Sequence, residues 1–197
     1  MLIEDKNFKN HKEQALRKME QAIKENKVDS IIIDLLHKIN LNKSIFTTSS
    51  CAGRIVIMQL PEIGDKKNAV FLGRWHREIT KDEVFSTLNS FEKDQIWLLT
   101  QPPIFHIGCK NLSAANELMK CGIRSGFKHS SIRSISARII VELQSTERMD
   151  MPLGNNGTRI VSNETIPFLV KTANHALKRS QEKLIRLEKE IEKMKIN

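Results

Sequence analysis

The chain has 197 residues, 40 % of them hydrophobic and 28 % charged, which suits one soluble domain with a real core. Lysine and arginine outnumber aspartate and glutamate 32 to 23, and the formal charge of +9 favours a polyanionic partner, most often nucleic acid. Aromatic residues at 5 % with no tyrosine weigh against a binder built on stacked bases, and 3 cysteines outside any CxxC pair weigh against a disulfide scaffold. No apolar run reaches membrane-spanning length, and the opening MLIEDKNFKNHKEQ lacks the apolar centre of a secretory signal, so a cytoplasmic protein with no membrane partner is expected.

Within an N-terminal segment 1–27, residues 7–27 read as a charged helix with Phe8, Ala15, Leu16, Met19 and Ile23 on one face. An α+β core follows over 28–162. It opens with a helix over 30–39, where Val28, Ile31, Ile32, Leu35, Leu36 and Ile39 form the packed stripe and Asp29 stands at the N-cap. Strands are expected over 44–48, 54–60, 69–75, 96–100, 104–109 and 137–144, and Gln101-Pro102-Pro103 breaks the fourth from the fifth. Thr80 and Glu83 have capping-box spacing for a short helix over 81–91. Asn111 or Ser113 caps a helix running to about Cys121, with Gly122 as its stop. An Asn156-Gly157 turn joins a last hairpin.

A long basic helix fills 163–197. Ile166, Val170, Ala173, Leu177, Leu184, Leu187, Ile191 and Met194 recur at four- and three-residue steps, with Ser180 filling one step. Residues 171–197 carry eight Lys/Arg against four Glu. A helix of this length is expected to project past the body. It either pairs with the N-terminal helix and is solvated, or offers Lys171, Lys178, Arg179, Lys183 and Arg186 as a rail for RNA phosphates.

Chemistry concentrates at 47–54, Thr-Thr-Ser-Ser-Cys-Ala-Gly-Arg, which packs hydroxyls, a thiol, a flexible glycine and a fixed charge between β-prone flanks. It reads as a tight connection between strands, either a plain turn or a loop offering N–H groups, hydroxyls and a guanidinium to one anion. His76, His106, His129 and the cysteines are scattered, so no metal site is expected. No GxSxG elbow, Walker A or GxGxxG occurs. The expected fold class is α+β, a single non-Rossmann domain with a mixed, largely antiparallel sheet, N-terminal helices and a long C-terminal helix.

An ordered series of short motifs goes further. Ser49-Ser50-Cys51-Ala52-Gly53-Arg54-Ile55, Gly73-Arg74-Trp75-His76, Gln101-Pro102-Pro103-Ile104-Phe105-His106-Ile107, Gly126-Phe127-Lys128-His129-Ser130-Ser131-Ile132, Met151-Pro152-Leu153, Val161-Ser162 and Ala173-Asn174 occur in turn over about 28–190. Together they resemble the tRNA wybutosine-synthesizing protein 3 family. The family's SSCSGR is SSCAGR here, with Ala52 in place of a serine, and a frequent Glu-Pro-Phe is Gln101-Pro102-Pro103. The resemblance implies an S-adenosylmethionine-dependent methyltransferase acting on the N4 ring nitrogen of a demethylwyosine-type base beside the anticodon of tRNA(Phe), as a monomer or weak homodimer.

On that reading Arg54 takes the donor's carboxylate or an RNA phosphate, because its fork matches either. Ser49, Ser50 and the Gly53 backbone orient that group, with Cys51 packed beside them. Trp75 stacks on the base, faces the sulfonium, or is a rim aromatic. His76 and His106 are the candidates to accept the acceptor-nitrogen proton, and Ser130 and Ser131 line the same pocket or bond within a turn. The alternatives are a non-catalytic RNA-binding relative and a helix-mediated assembly protein.

Overall fold

Strands of alternating apolar and polar residues build two sheets, and every strand pair in both is antiparallel. The structure, a computed structural model, describes residues 2–65, 67–89 and 91–194. The α+β class with N-terminal helices and a long C-terminal helix holds, while the single mixed sheet is replaced by two antiparallel ones. The chain gathers into two compact units, each with its own sheet, and passes from one to the other at 52/53, 102/103, 146/147 and 180/181.

Unit 1 holds residues 1–52, 103–146 and 181–197. Its four strands lie in the order β1 (Ile45–Cys51), β5 (Ile104–Cys109), β7 (Ile139–Gln144), β6 (Ser131–Ser134). Ile45, Phe105, Ile107, Val141 and Leu143 point to one core, met by Leu36 and Ile39 of α2 (Ile33–Leu41) and Leu118 of α4 (Leu112–Ser125). Leu184, Leu187 and Ile191 from the second half of α5 (Thr165–Lys193) complete it. α1 (Leu2–Lys24) packs along β1, with Phe8 edge-on to Phe46 at 5.3 Å.

Unit 2 holds residues 53–102 and 147–180. Its five strands run β3 (Val70–Trp75), β2 (Arg54–Leu60), β4 (Gln95–Gln101), β8 (Met149–Asn155), β9 (Thr158–Arg159). Ile55, Ile57, Ile96, Leu98 and Leu153 pack on α3 (Lys81–Asn89) and on Ile166, Val170, Ala173 and Leu177 of α5. The capping box forms as spaced, Thr80 N–H donating to Glu83 at 2.8 Å and Glu83 N–H to the Thr80 hydroxyl at 3.3 Å. Asn156 and Gly157 take φ 48° and 73°, the left-handed pair that a two-residue hairpin turn needs.

Several local expectations are corrected. The Ser49–Cys51 part of the expected loop is strand, because β1 keeps pairing with β5 through Cys51, and only Ala52-Gly53 connect it to β2 in the other sheet. Gly53 sits at φ 85°, which explains the glycine. Asp29 does not cap with its side chain; its carboxylate accepts from Ala52 N–H at 2.8 Å, and Ser30–Ile32 forms a 3₁₀ turn ahead of α2. Gly122 does not stop α4, which runs on to a left-handed Gly126 at φ 96°. A Cβ on Gly122 would come 2.8 Å from Leu143, so glycine there serves close helix-to-sheet packing. Asn111 is the cap, accepting from Ala114 N–H at 2.9 Å.

The long helix does not project as a free rail. Its apolar seam is core in each unit, and Ser180 is fully buried in that seam. Lys195, to which the sequence carried the helix, and Ser90, inside the expected 81–91 helix, lie outside the described residues. Among the described residues no helix is long and apolar enough to cross a membrane.

Candidate active site

In unit 1, four side chains fall in one cross-strand row. Ser49 on β1 is opposite His106 on β5, His106 is opposite Glu142 on β7, and Glu142 is opposite Ser131 on β6. Directly opposite residues in an antiparallel sheet point to the same face, so one register assembles the row from four separate stretches of sequence. A β-bulge between Thr47 and Ser49 sets that register on β1, and the extra residue, Thr48, donates its hydroxyl to the His106 carbonyl at 3.0 Å.

The row is hydrogen-bonded. His106 Nε2 lies 2.9 Å from Glu142 Oε2, and the Ser49 hydroxyl lies 2.9 Å from His106 Nδ1. Arg133 Nε approaches the same Glu142 oxygen at 3.0 Å. The Glu142 side chain is only 5 % exposed, and a buried carboxylate needs such partners. A carboxylate oxygen accepts, so Nε2 carries a hydrogen toward Glu142, and Nδ1 is the ring nitrogen turned to the Ser49 hydroxyl. The arrangement fixes the tautomer of a half-exposed imidazole and couples it to an exposed hydroxyl.

The neighbouring residues of the motif turn elsewhere. Ser130 donates its hydroxyl to the Phe127 carbonyl at 2.5 Å, a turn bond, while Ser131 stands in the row. Cys51 is partly exposed; Cys109 and Cys121 are buried, and burial pushes the Cys109 thiol up to about 12.

In unit 2 the sheet carries Arg54 on the face away from its helices. Arg54 Nε donates to Gln101 at 2.6 Å, and the guanidinium lies 5.3 Å above the Phe71 ring. Among the described residues no carboxylate pairs with it, so an amide and an aromatic face hold the cation without neutralising it. That donor set suits the carboxylate end of an amino-acid-bearing ligand. His76 Nδ1 donates to the Gly53 carbonyl at 3.0 Å. Trp75 sits opposite core residue Ile55, on the other face from Arg54, and its indole covers Gly73, where a Cβ would come 2.0 Å from the ring. Packing thereby explains Gly73 beside Trp75, whose indole is partly buried against the unit 2 core.

Of the basic helix residues, Lys171, Lys178 and Arg186 are exposed, and Arg179 pairs with Glu147 at 3.6 Å. Lys183 is buried, with 5 % exposure; its stem covers Gly126 and its ammonium donates to the Thr146 hydroxyl at 2.8 Å. It is removed from any surface rail.

Sequence reasoning missed Glu142, Arg133 and Phe71. The available signal was Glu142 itself, a carboxylate set in the apolar run Ile139-Ile140-Val141-Glu142-Leu143.

The comparisons with known proteins agree with one another. A tRNA(Phe) 7-((3-amino-3-carboxypropyl)-4-demethylwyosine(37)-N(4))-methyltransferase of Thermococcus sibiricus is 46 % identical over 99 % of this chain and 100 % of its own length. One from Pyrococcus abyssi is 46 % identical over 95 % of this chain and 97 % of its own. A solved Pyrococcus horikoshii structure superposes with a TM-score of 0.91 at 45 % identity, covering 95 % of this chain and 97 % of that one. A hypothetical protein from Aeropyrum pernix reaches a TM-score of 0.74 at 30 % identity, over 84 % of this chain and 98 % of its own. Residues 10–193 match the family model described as Methyltransferase TYW3, and with identity of this depth over whole lengths the chain belongs to that methyltransferase family.

Proposed function

We propose that the chain transfers a methyl group from S-adenosylmethionine to the N4 ring nitrogen of a demethylwyosine-type base beside the anticodon of tRNA(Phe), acting in the cytoplasm as a monomer or weak homodimer. The observation that carries this reading is the 46 % identity, over 99 % of the chain, to a relative named for that reaction.

When bound, the donor supplies a methyl carbon activated by positively charged sulfur, so alignment is the main demand on the protein. Arg54 holds the donor's carboxylate, oriented by Gln101 and Phe71 and supported by the Gly53 backbone. His106 receives the hydrogen that the acceptor nitrogen gives up, through its Nδ1 or through the Ser49 hydroxyl bonded to it. Glu142 is a positioning residue: it keeps hydrogen on Nε2 so that Nδ1 is the accepting atom, and Arg133 holds Glu142 in place. Ser50, Cys51 and Ser131 shape the wall around that row. His76 is the second candidate base, in unit 2, and Lys171, Lys178, Arg179 and Arg186 are candidate phosphate contacts.

The test is nucleoside mass spectrometry of hypomodified tRNA(Phe) after incubation with the protein and S-adenosylmethionine. One added methyl group on the wyosine-type base is expected. An unchanged nucleoside, with protein that is folded and binds the tRNA, would make this chain a non-catalytic RNA-binding relative.

A further inference from the structure

α1 offers a polar surface in unit 1 beside its packed stripe. His11, Gln14 and Lys18 recur at three- and four-residue steps and therefore share one face of the helix. That face lines a cavity of about 410 Å³ along β1, together with the hydroxyl residues Thr48, Ser49 and Ser50 and with Arg138. A second cavity, of about 470 Å³, lies between α1 and residues 108–112 and 135–139. His11 and Arg138 line both cavities, so the two adjoin. Among the described residues no aspartate or glutamate lines either of them.

The walls are held in place. Lys12, on the packed side of α1, donates its ammonium to the Ile45 carbonyl at 3.0 Å and also to the Asn42 carbonyl. Asn40 accepts from Thr47 N–H at 2.9 Å and donates to the Thr47 hydroxyl at 2.8 Å. These bonds fix α1 and α2 against the edge strand and satisfy backbone groups that an edge would otherwise leave open. Lys18 and Arg138 are exposed, and among the described residues neither pairs with a carboxylate.

We propose that these two cavities form a track for successive phosphates of an RNA backbone, with Lys18 and Arg138 as its principal cations. Two adjoining cavities that meet at Arg138, the first also lined by Lys18, suit a ligand with anions in succession, whereas a lone carboxylate would need one fork. Hydroxyl donors beside the cations are the groups that contact phosphate oxygens. Ser49 lines the track and bonds His106, so a strand seated in it passes beside the row of the candidate site. The inference rests on the reading that the substrate is a tRNA.

The experiment measures binding of a tRNA(Phe) transcript to the full chain across a salt series, for wild type, Lys18→Ala/Arg138→Ala and Lys18→Arg/Arg138→Lys. Loss of two single-strand phosphate contacts should flatten the log–log salt slope by about 1.4, at about 0.7 per contact. The charge-keeping pair should keep the wild-type slope and so separates lost charge from lost fold, which circular dichroism also checks. An unchanged slope in the folded alanine pair overturns the track. So does flattening seen only in Lys171→Ala/Lys178→Ala, or an alanine pair that loses S-adenosylmethionine binding and keeps its tRNA slope. Methyl transfer is read in parallel: a flattened slope without methyl transfer by the wild type leaves the track standing and removes the proposed function, and methyl transfer with an unchanged slope does the reverse.

Discussion

The two sheets solve the placing of a charged group in opposite ways. In unit 1 the charged carboxylate is buried and fully engaged: Glu142 is bonded to His106 and Arg133, and the exposed end of the row is the neutral Ser49 hydroxyl. In unit 2 the charged group is presented: Arg54 is held by neutral Gln101 and the Phe71 ring, and its charge is left for a ligand. A relay of bonded groups fits the handling of a proton, and an uncompensated guanidinium fits the capture of an anion. The contrast therefore assigns different tasks to two clusters built from one run of residues at 49–54.

The strongest way to break this division is His106→Ala. A positioned base contributes about 10²–10⁴-fold, and a loss of that size in kcat is expected, with donor affinity unchanged in equilibrium binding. Glu142→Gln should give a smaller loss, because the amide can donate to Nε2 and invert the ring's hydrogen. A full rate with either variant would remove the relay from the reaction.

Next in size is Leu187→Ala in α5. Truncating a fully buried leucine in the unit 1 core costs about 2–5 kcal/mol, read from a denaturation midpoint. A midpoint within experimental scatter of wild type would return α5 to the role of a solvated rail.

Arg54→Ala tests the other half of the contrast. The KM for S-adenosylmethionine is expected to rise about 10- to 100-fold, in line with losing one charge-assisted contact of about 1.5–3 kcal/mol. If the KM for tRNA rises instead, Arg54 serves a phosphate.

The smallest effect concerns α3. Thr80→Ala should cost about 1 kcal/mol through the capping box. Arg77, then the Thr80 N–H, holds the Glu83 carboxyl at about 2, below its ordinary 4.5. A depressed carboxyl contributes stability that is complete above pH 4.5 and lost as pH falls toward 2. Glu83→Gln should flatten that acid limb, and an unaltered limb would show that other carboxylates govern it.

Local chemistry was legible from sequence wherever the partners are close along the chain. The Thr80–Glu83 box, the Asn111 cap and the Asn156-Gly157 turn each involve residues within three positions, and each is found as spaced. What escaped depends on long-range register. Glu142 meets His106 across 36 residues, and no local pattern specifies that pairing. Lys183 looked like its exposed neighbours on the helix, but its face of α5 covers Gly126 and reaches Thr146. Gly122 read as a helix stop because a missing side chain looks the same whether it frees the backbone or admits a neighbour, here Leu143.

The four passages of the chain between units carry a consequence for biogenesis. Neither unit is a continuous stretch, and β1 must wait for β5, more than 50 residues later, to pair. A nascent chain emerging from a ribosome cannot close the first core until Leu184, Leu187 and Ile191 arrive with α5. Folding is then governed by late, distant contacts, which slows it and leaves half-made sheets exposed to aggregation in the interval. In chain order α5 is the last described element to reach either core, and it closes both.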